Sequence, residues 1–151
     1  MGKAVIRAIG NEIRLAAGPL QQCAGQPAGA EAVVHGMSRI YSENGSDAVL
    51  LVDATNAFNL LNQRIVLLNI QALCPALAPF LVNIYQRNAT LFVGGDALLL
   101  QEGTTQGDPL AMAMFAVAIR PLIDRISGTE AVQVWFADDA AGGGKLPSLR
   151  A

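Results

Sequence analysis

A chain of 151 residues that is 52% apolar and only 15% charged can build one small domain with a moderate core, and is rich in apolar side chains for a soluble domain of that size. Its net charge of −2 and pI near 5.2, with arginines scattered along the chain, exclude the strongly basic footprint that grips nucleic acid unaided. Two cysteines, Cys23 and Cys74, and one histidine, His35, exclude a disulfide framework and a Cys/His zinc site, and the longest uninterrupted apolar stretch, 110–119, is too short to cross a bilayer.

In chain order, a helix is expected over 3–16, then a Gly/Pro loop and an amphipathic helix over 31–41 on which His35 is a surface or packing residue. Asn44-Gly45 marks a turn. The run Ala48-Val49-Leu50-Leu51-Val52-Asp53 is apolar until its last residue and reads as a strand buried on both faces. Its end would put Asp53 at the sheet's rim, where ligand sites of open α/β sheets lie; the competing reading is that Asp53 caps the next helix or turns the chain. Phe58, followed by Leu60, Leu61, Ile65, Leu68 and Leu73, has the spacing of core at a helix start. Helices are expected over 63–73 and 76–88, separated by Pro75. A hairpin is expected over 90–93 and 97–100 about Gly94-Gly95-Asp96, which makes Asp96 a turn residue.

Asp108-Pro109 reads as a helix start, with a side-chain acceptor followed by a residue whose missing N–H is no loss in the first turn. Just before it, Gln106 offers a donor and an acceptor, and Gly107 allows close approach to the backbone. Ala111, Ala113, Ala116 and Ala118 make a low, flat surface that suits a stacked base pair and tight helix packing equally. Phe115, Ile119, Leu122 and Ile126 have helical spacing and read as core, with Pro121 kinking or splitting the helix. A β-prone run then leads through Trp135, on the opposite face from Val134 and Phe136, into Phe136-Ala137-Asp138-Asp139 and the glycines Gly142, Gly143 and Gly144. Two adjacent carboxylates at a hairpin turn, held by flanking strands, suit a divalent metal; Asp-Asp pairs also occur in ordinary solvated turns. If the strand ending at Asp53 lies beside the 132–136 strand, three carboxylates meet at one point and need divalent cations.

The ordered set resembles the palm of reverse transcriptases. Its elements are the apolar strand ending in Asp53 with Phe58 five residues on, then Gln106-Gly107-Asp108-Pro109, then Phe136-Ala137-Asp138-Asp139. Upstream, Gln22-Cys23-Ala24-Gly25-Gln26-Pro27-Ala28-Gly29 looks like that family's loop between fingers and palm. The likeness therefore runs roughly from Glu12 to Gly144 and is strongest to the enzymes of non-LTR retrotransposons. It implies an α+β fold, an antiparallel sheet packed on helices. Residues 1–45 would form the fingers-to-palm connection, 46–144 the palm core and 145–151 a truncated end without a thumb.

The implied activity is RNA-directed DNA polymerisation inside the cell, in nucleus or cytoplasm, by two-metal nucleotidyl transfer. Asp53 and Asp138 would be the principal ligands of two Mg²⁺ ions, with Mn²⁺ able to substitute. Asp139 would be the auxiliary carboxylate, and the carbonyl of Ala54 a further ligand. Amides of Asn56 and Ala57 would meet the triphosphate, Phe58 would lie under the sugar and exclude a 2′-hydroxyl, and Gln106 and Gly107 would face the nascent base pair and template. The partners would be an RNA template, a DNA primer, deoxynucleoside triphosphates and the missing fingers and thumb, and the chain alone would be an inactive fragment. The alternative is a decayed mobile-element remnant acting at most as a non-catalytic interaction module. Two departures stand out: Ala111-Met112 replaces the family's Ser-Pro, and Lys145 has no assigned role.

Overall fold

The computed structural model of the chain describes residues 1–42, 46–87, 89–105, 107–127 and 130–150. The expected Asn44-Gly45 turn and the helix end at Asn88 lie outside them. Among the described residues the elements run α1 (Gly2–Ala17), α2 (Gly29–Ser42), β1 (Ala48–Asp53), α3 (Gln63–Leu73), α4 (Ala78–Tyr85), β2 (Ala89–Val93), β3 (Asp96–Leu100), α5 (Ala111–Ala118), α6 (Arg120–Ile126), β4 (Val132–Phe136) and β5 (Asp139–Gly144). The strands form two antiparallel sheets, ordered β1-β5-β4 and β2-β3, so the protein is α+β. No helix among the described residues is long and apolar enough to cross a membrane.

The core forms around α5. Its eight residues are all apolar, and a helix apolar on every side has to be enclosed; residues 113–118 are buried beneath α1 and α3. Ile70, Leu77, Leu81 and Met114 are 0% exposed, each burial stabilising the fold by about 1.5–3 kcal/mol. Ala113, Ala116 and Ala118 thus serve close helix packing and are not an open platform. Asn69 closes the helix end, its Nδ2 donating to the Ala118 carbonyl at 2.9 Å.

Two prolines set helix boundaries. Cys74-Pro75-Ala76-Leu77 forms a turn, with Leu77 N donating to Cys74 O at 2.9 Å, so α4 starts later than expected, at Ala78; it runs to Tyr85. Pro121 splits the next helix as expected, at Ile119. The break changes the helical phase: Ile123 is 1% exposed while Leu122, expected in the core, is 49% exposed.

The sheet corrects the reading of β1 as a doubly buried strand. It is an edge strand, and Leu50, Leu51 and Val52 are 46%, 74% and 45% exposed. Leu50 and Val52 line a groove of about 630 Å³ with Trp135, Ala140, Leu122 and Ile126. The central strand β5 is Asp-Ala-Ala-Gly-Gly-Gly, poor in β propensity, because α2 lies directly on it. A Cβ at Gly143 would sit 2.6 Å from Cγ2 of Ile40, a β-branched side chain with little freedom to yield.

Gly143→Val should therefore destabilise the protein by roughly 1–3 kcal/mol in urea unfolding. Gly36→Ala, inside α2 with open space around it, should stabilise it by about 0.5–1 kcal/mol. Equal effects from the two would show that α2 is not seated on β5.

Candidate functional site

Antiparallel register builds one acidic rim from two segments distant in sequence. β1 pairs with β5 so that Asp53 stands opposite Asp139, and β4 pairs with β5 so that Phe136 also stands opposite Asp139. Ala137 and Asp138 are then the two turn residues of the β4–β5 hairpin. The strand beside β1 is β5, not the 132–136 strand, which is one place further out; β5 carries Asp139 at its start, so the acids still share one end of the sheet. Period-two alternation puts Asp53 and Asp139 on the face of Gly143, where α2 packs. Asp53 and Asp139 are exposed and Asp138 is half-buried. Among the described residues no three His, Cys, Asp or Glu side chains are already grouped as a metal cage.

The hairpin turn carries a conformational cost. Ala137 has φ 55°, a left-handed value that disfavours a residue with a Cβ by about 1–2 kcal/mol, and it is 4% exposed, so its peptide groups have little access to water. One side chain meets both needs. Gln21, 1% exposed, donates from Nε2 to the Ala137 carbonyl at 3.0 Å and accepts from the Ala137 N–H on Oε1 at 2.9 Å. Residues 20–22 lie along β4 to deliver it: Trp135 N donates to Leu20 O and Gln22 N to Trp135 O, both at 2.8 Å. On the far side of β4, Trp135 Nε1 donates to Gln133 Oε1 at 2.7 Å, and Gln133 Nε2 donates to Ile123 O and to Ser127 Oγ.

The loop after Asp53 is tied as firmly. Ala54 and Asn56 are exposed, Ala57 and Phe58 half-buried. Asn56 takes φ 56°, and its carbonyl accepts from the N–H groups of Asn59 and Leu60. The Phe58 ring stacks on Phe115 of the core, centroids 4.4 Å apart and planes 24° from parallel. Thr104 N donates to Phe58 O at 2.9 Å and Gly103 N to Leu61 O at 2.7 Å; Gly103 sits so close that a Cβ there would lie 2.6 Å from Asn59 O.

Gln106 lies outside the described residues. Gly107 is exposed, with φ 82° and open space about it. Asp108 is committed to local structure: Oδ1 accepts from Leu110 N at 2.9 Å and Oδ2 from the Tyr85 hydroxyl at 3.2 Å, and the helix begins at Ala111, slightly beyond the expected start. Lys145 is paired with Asp47 at 3.1 Å, which lowers the Asp47 carboxyl below its ordinary value.

Sequence reasoning missed Gln21 and Tyr85. A glutamine beside another glutamine and an isolated tyrosine carry no periodic signal; only the three-dimensional path of residues 20–23 reveals the first. Protein-family models and curated proteins give no match to this chain.

Cys23 reports on this corner of the molecule. Burial pushes its thiol up to about 11 from 9.0, with the nearby charge of Asp138 adding to the rise and backbone contacts at Ala137 and Cys23 opposing it. Between pH 9 and 11 the unfolded chain releases this proton while the folded chain keeps it, so stability falls as pH rises through that window. The loss should be of order 2 kcal/mol. Burial also raises Cys74 and Tyr85, which contribute the same trend in both proteins, so a comparison with Cys23→Ser isolates the contribution of Cys23. Parallel curves for the two proteins in urea unfolding from pH 8 to 11 would contradict the placement of Cys23.

Proposed function

We propose that the chain is the palm portion of an RNA-directed DNA polymerase of the retrotransposon type, with Asp53, Asp138 and Asp139 as its catalytic carboxylates. The observation that supports this reading is the register that sets Asp53 opposite Asp139, with Asp138 in the adjoining turn. Carboxylates directly opposite on paired strands repel, and the natural remedy is a hard divalent cation. Carboxylate and carbonyl oxygens are the donor set Mg²⁺ takes, so the residues fit the ion by chemistry: Asp53, Asp138 and Asp139 with the carbonyl of Ala54 would hold it. When bound, two such ions would supply Lewis-acid stabilisation of the charge that develops during phosphoryl transfer.

In this reading the 3′-oxygen of a primer attacks the α-phosphorus of an incoming deoxynucleoside triphosphate, loses its proton, and displaces pyrophosphate. The chain's own residues position these groups. The amides of Asn56 and Ala57 meet the triphosphate. Phe58, backed by Phe115, lies under the sugar and disfavours a 2′-hydroxyl. Gly107, open to solvent, faces the new base pair and the template.

The deciding assay is extension of oligo-dT on poly-rA with Mg²⁺ or Mn²⁺, using this chain, its Asp138→Ala variant, and a longer chain that supplies fingers and thumb. Extension by the longer chain that Asp138→Ala abolishes is the expected result. No extension from either chain would favour a remnant without catalysis. In direct titration, Asp138→Asn should weaken Mn²⁺ binding by more than about tenfold. Asp96→Asn, on the separate β2–β3 sheet, should leave it unchanged. Equal effects would remove Asp138 from the site.

A further inference from the structure

The geometry points to Gln21 as a positioning residue for the acidic rim, an inference that rests on the metal-binding reading of Asp53, Asp138 and Asp139. A primary carboxamide matches a peptide unit, one donor and one acceptor side by side, and Gln21 uses both on the C=O and N–H of Ala137, 116 residues away. Those two bonds fix the orientation of the residue that immediately precedes Asp138. The direction in which Asp138 leaves the turn therefore depends on Gln21, which touches none of the reacting groups. Ala137 makes the dependence strong: glycine would enter the left-handed region unaided, whereas alanine has to be held there. Residues 20–22 are themselves bonded to β4 through Trp135, so the clamp is rigid on both sides. No substitute of similar size keeps both bonds. A carboxylate at position 21 would retain the acceptor, lose the donor, and put a negative charge beside Asp138; an isosteric apolar side chain would lose both and leave a buried peptide unit unsatisfied.

The test is a cycle on the full chain with two readouts, amide hydrogen exchange at Ala137 and Mn²⁺ affinity by titration. In Gln21→Leu, exchange at Ala137 should rise at least about tenfold while the amides of Val134 and Ala141 in the flanking strands stay protected, and Mn²⁺ affinity should fall about 10- to 100-fold, the range expected when support behind metal ligands is removed. Ala137→Gly placed on Gln21→Leu should recover much of the Mn²⁺ affinity, because the turn no longer needs to be held; a role in stability alone predicts no recovery. Gln21→Glu provides the same comparison should Gln21→Leu lose strand protection. Unchanged Mn²⁺ affinity in Gln21→Leu, or rapid exchange at Ala137 in the wild-type protein, would overturn the proposal. Wild-type binding of Mn²⁺ no tighter than that of Asp138→Asn would instead overturn the metal reading, and exchange at Ala137 would then decide by itself whether Gln21 holds the turn.

Discussion

A peptide unit buried at a tight turn must place its N–H and C=O on partners, and at Ala137 both go to one side chain, that of Gln21. Much of the site's arrangement depends on that requirement. It obliges residues 20–23 to run along β4, which gives the outer strand of the sheet a neighbour on its open side through Leu20, Gln22 and Trp135. It permits a non-glycine residue at positive φ, which holds the β4–β5 turn to two residues. A two-residue turn in turn sets the hairpin register and places Asp139 at the start of β5, where the separate β1 pairing sets it opposite Asp53. Leaving such groups unsatisfied would cost about 1–3 kcal/mol each, comparable with the strain at Ala137 itself.

The sheet's composition follows from a second constraint, the closeness of α2. Strands usually stabilise themselves with branched and aromatic side chains, yet β5 is central and nearly bare. Its strength comes from being paired on both sides and from Ile40 and Met37 of α2 reaching down to Gly143. The branched residues sit instead on β1 and β4, which flank it. The result is asymmetric: one face is closed by a helix, while the other opens into the groove beside Leu50, Val52 and Trp135.

Most of this fold was legible in the sequence where a single local signal controlled the outcome. The span of α3, the Gly94-Gly95 hairpin, the split at Pro121 and the β4–β5 turn all rest on capping, turn chemistry or periodicity within a few residues. The failures share a cause. Apolar continuity from Ala48 to Val52 cannot distinguish a central strand from an edge strand, since position in a sheet is a property of the partners. Leu122 and Ile126 kept a helical spacing with Phe115 on paper, but the break at Ile119 rotated the two halves apart. The positions of Asp53 at a strand end and of Asp138 and Asp139 at a hairpin turn were readable, because the end of an apolar run and turn chemistry mark them. Gln21 was not, because its role depends on a contact spanning 116 residues.

Both halves of the rim are held through backbone rather than through their carboxylates. The hairpin half is fixed by Gln21 on the peptide of Ala137, and the loop half by Thr104 on the carbonyl of Phe58, Gly103 on that of Leu61, and the Phe58 ring on Phe115. The exposed side chains of Asp53 and Asp139 then project from a frame whose geometry they do not themselves maintain. For a site whose proposed ligand is a cation, this division has a physical merit. A carboxylate recruited to brace the fold, as Asp108 is by Leu110 and Tyr85, has part of its acceptor capacity already used. Acids positioned by their neighbours' backbone keep theirs, and in the proposed reading their mutual repulsion across the β1–β5 pair would turn into affinity once positive charge arrives. Substituting one of them should accordingly cost little fold stability and much cation affinity, the opposite of what a structural carboxylate such as Asp108 would show.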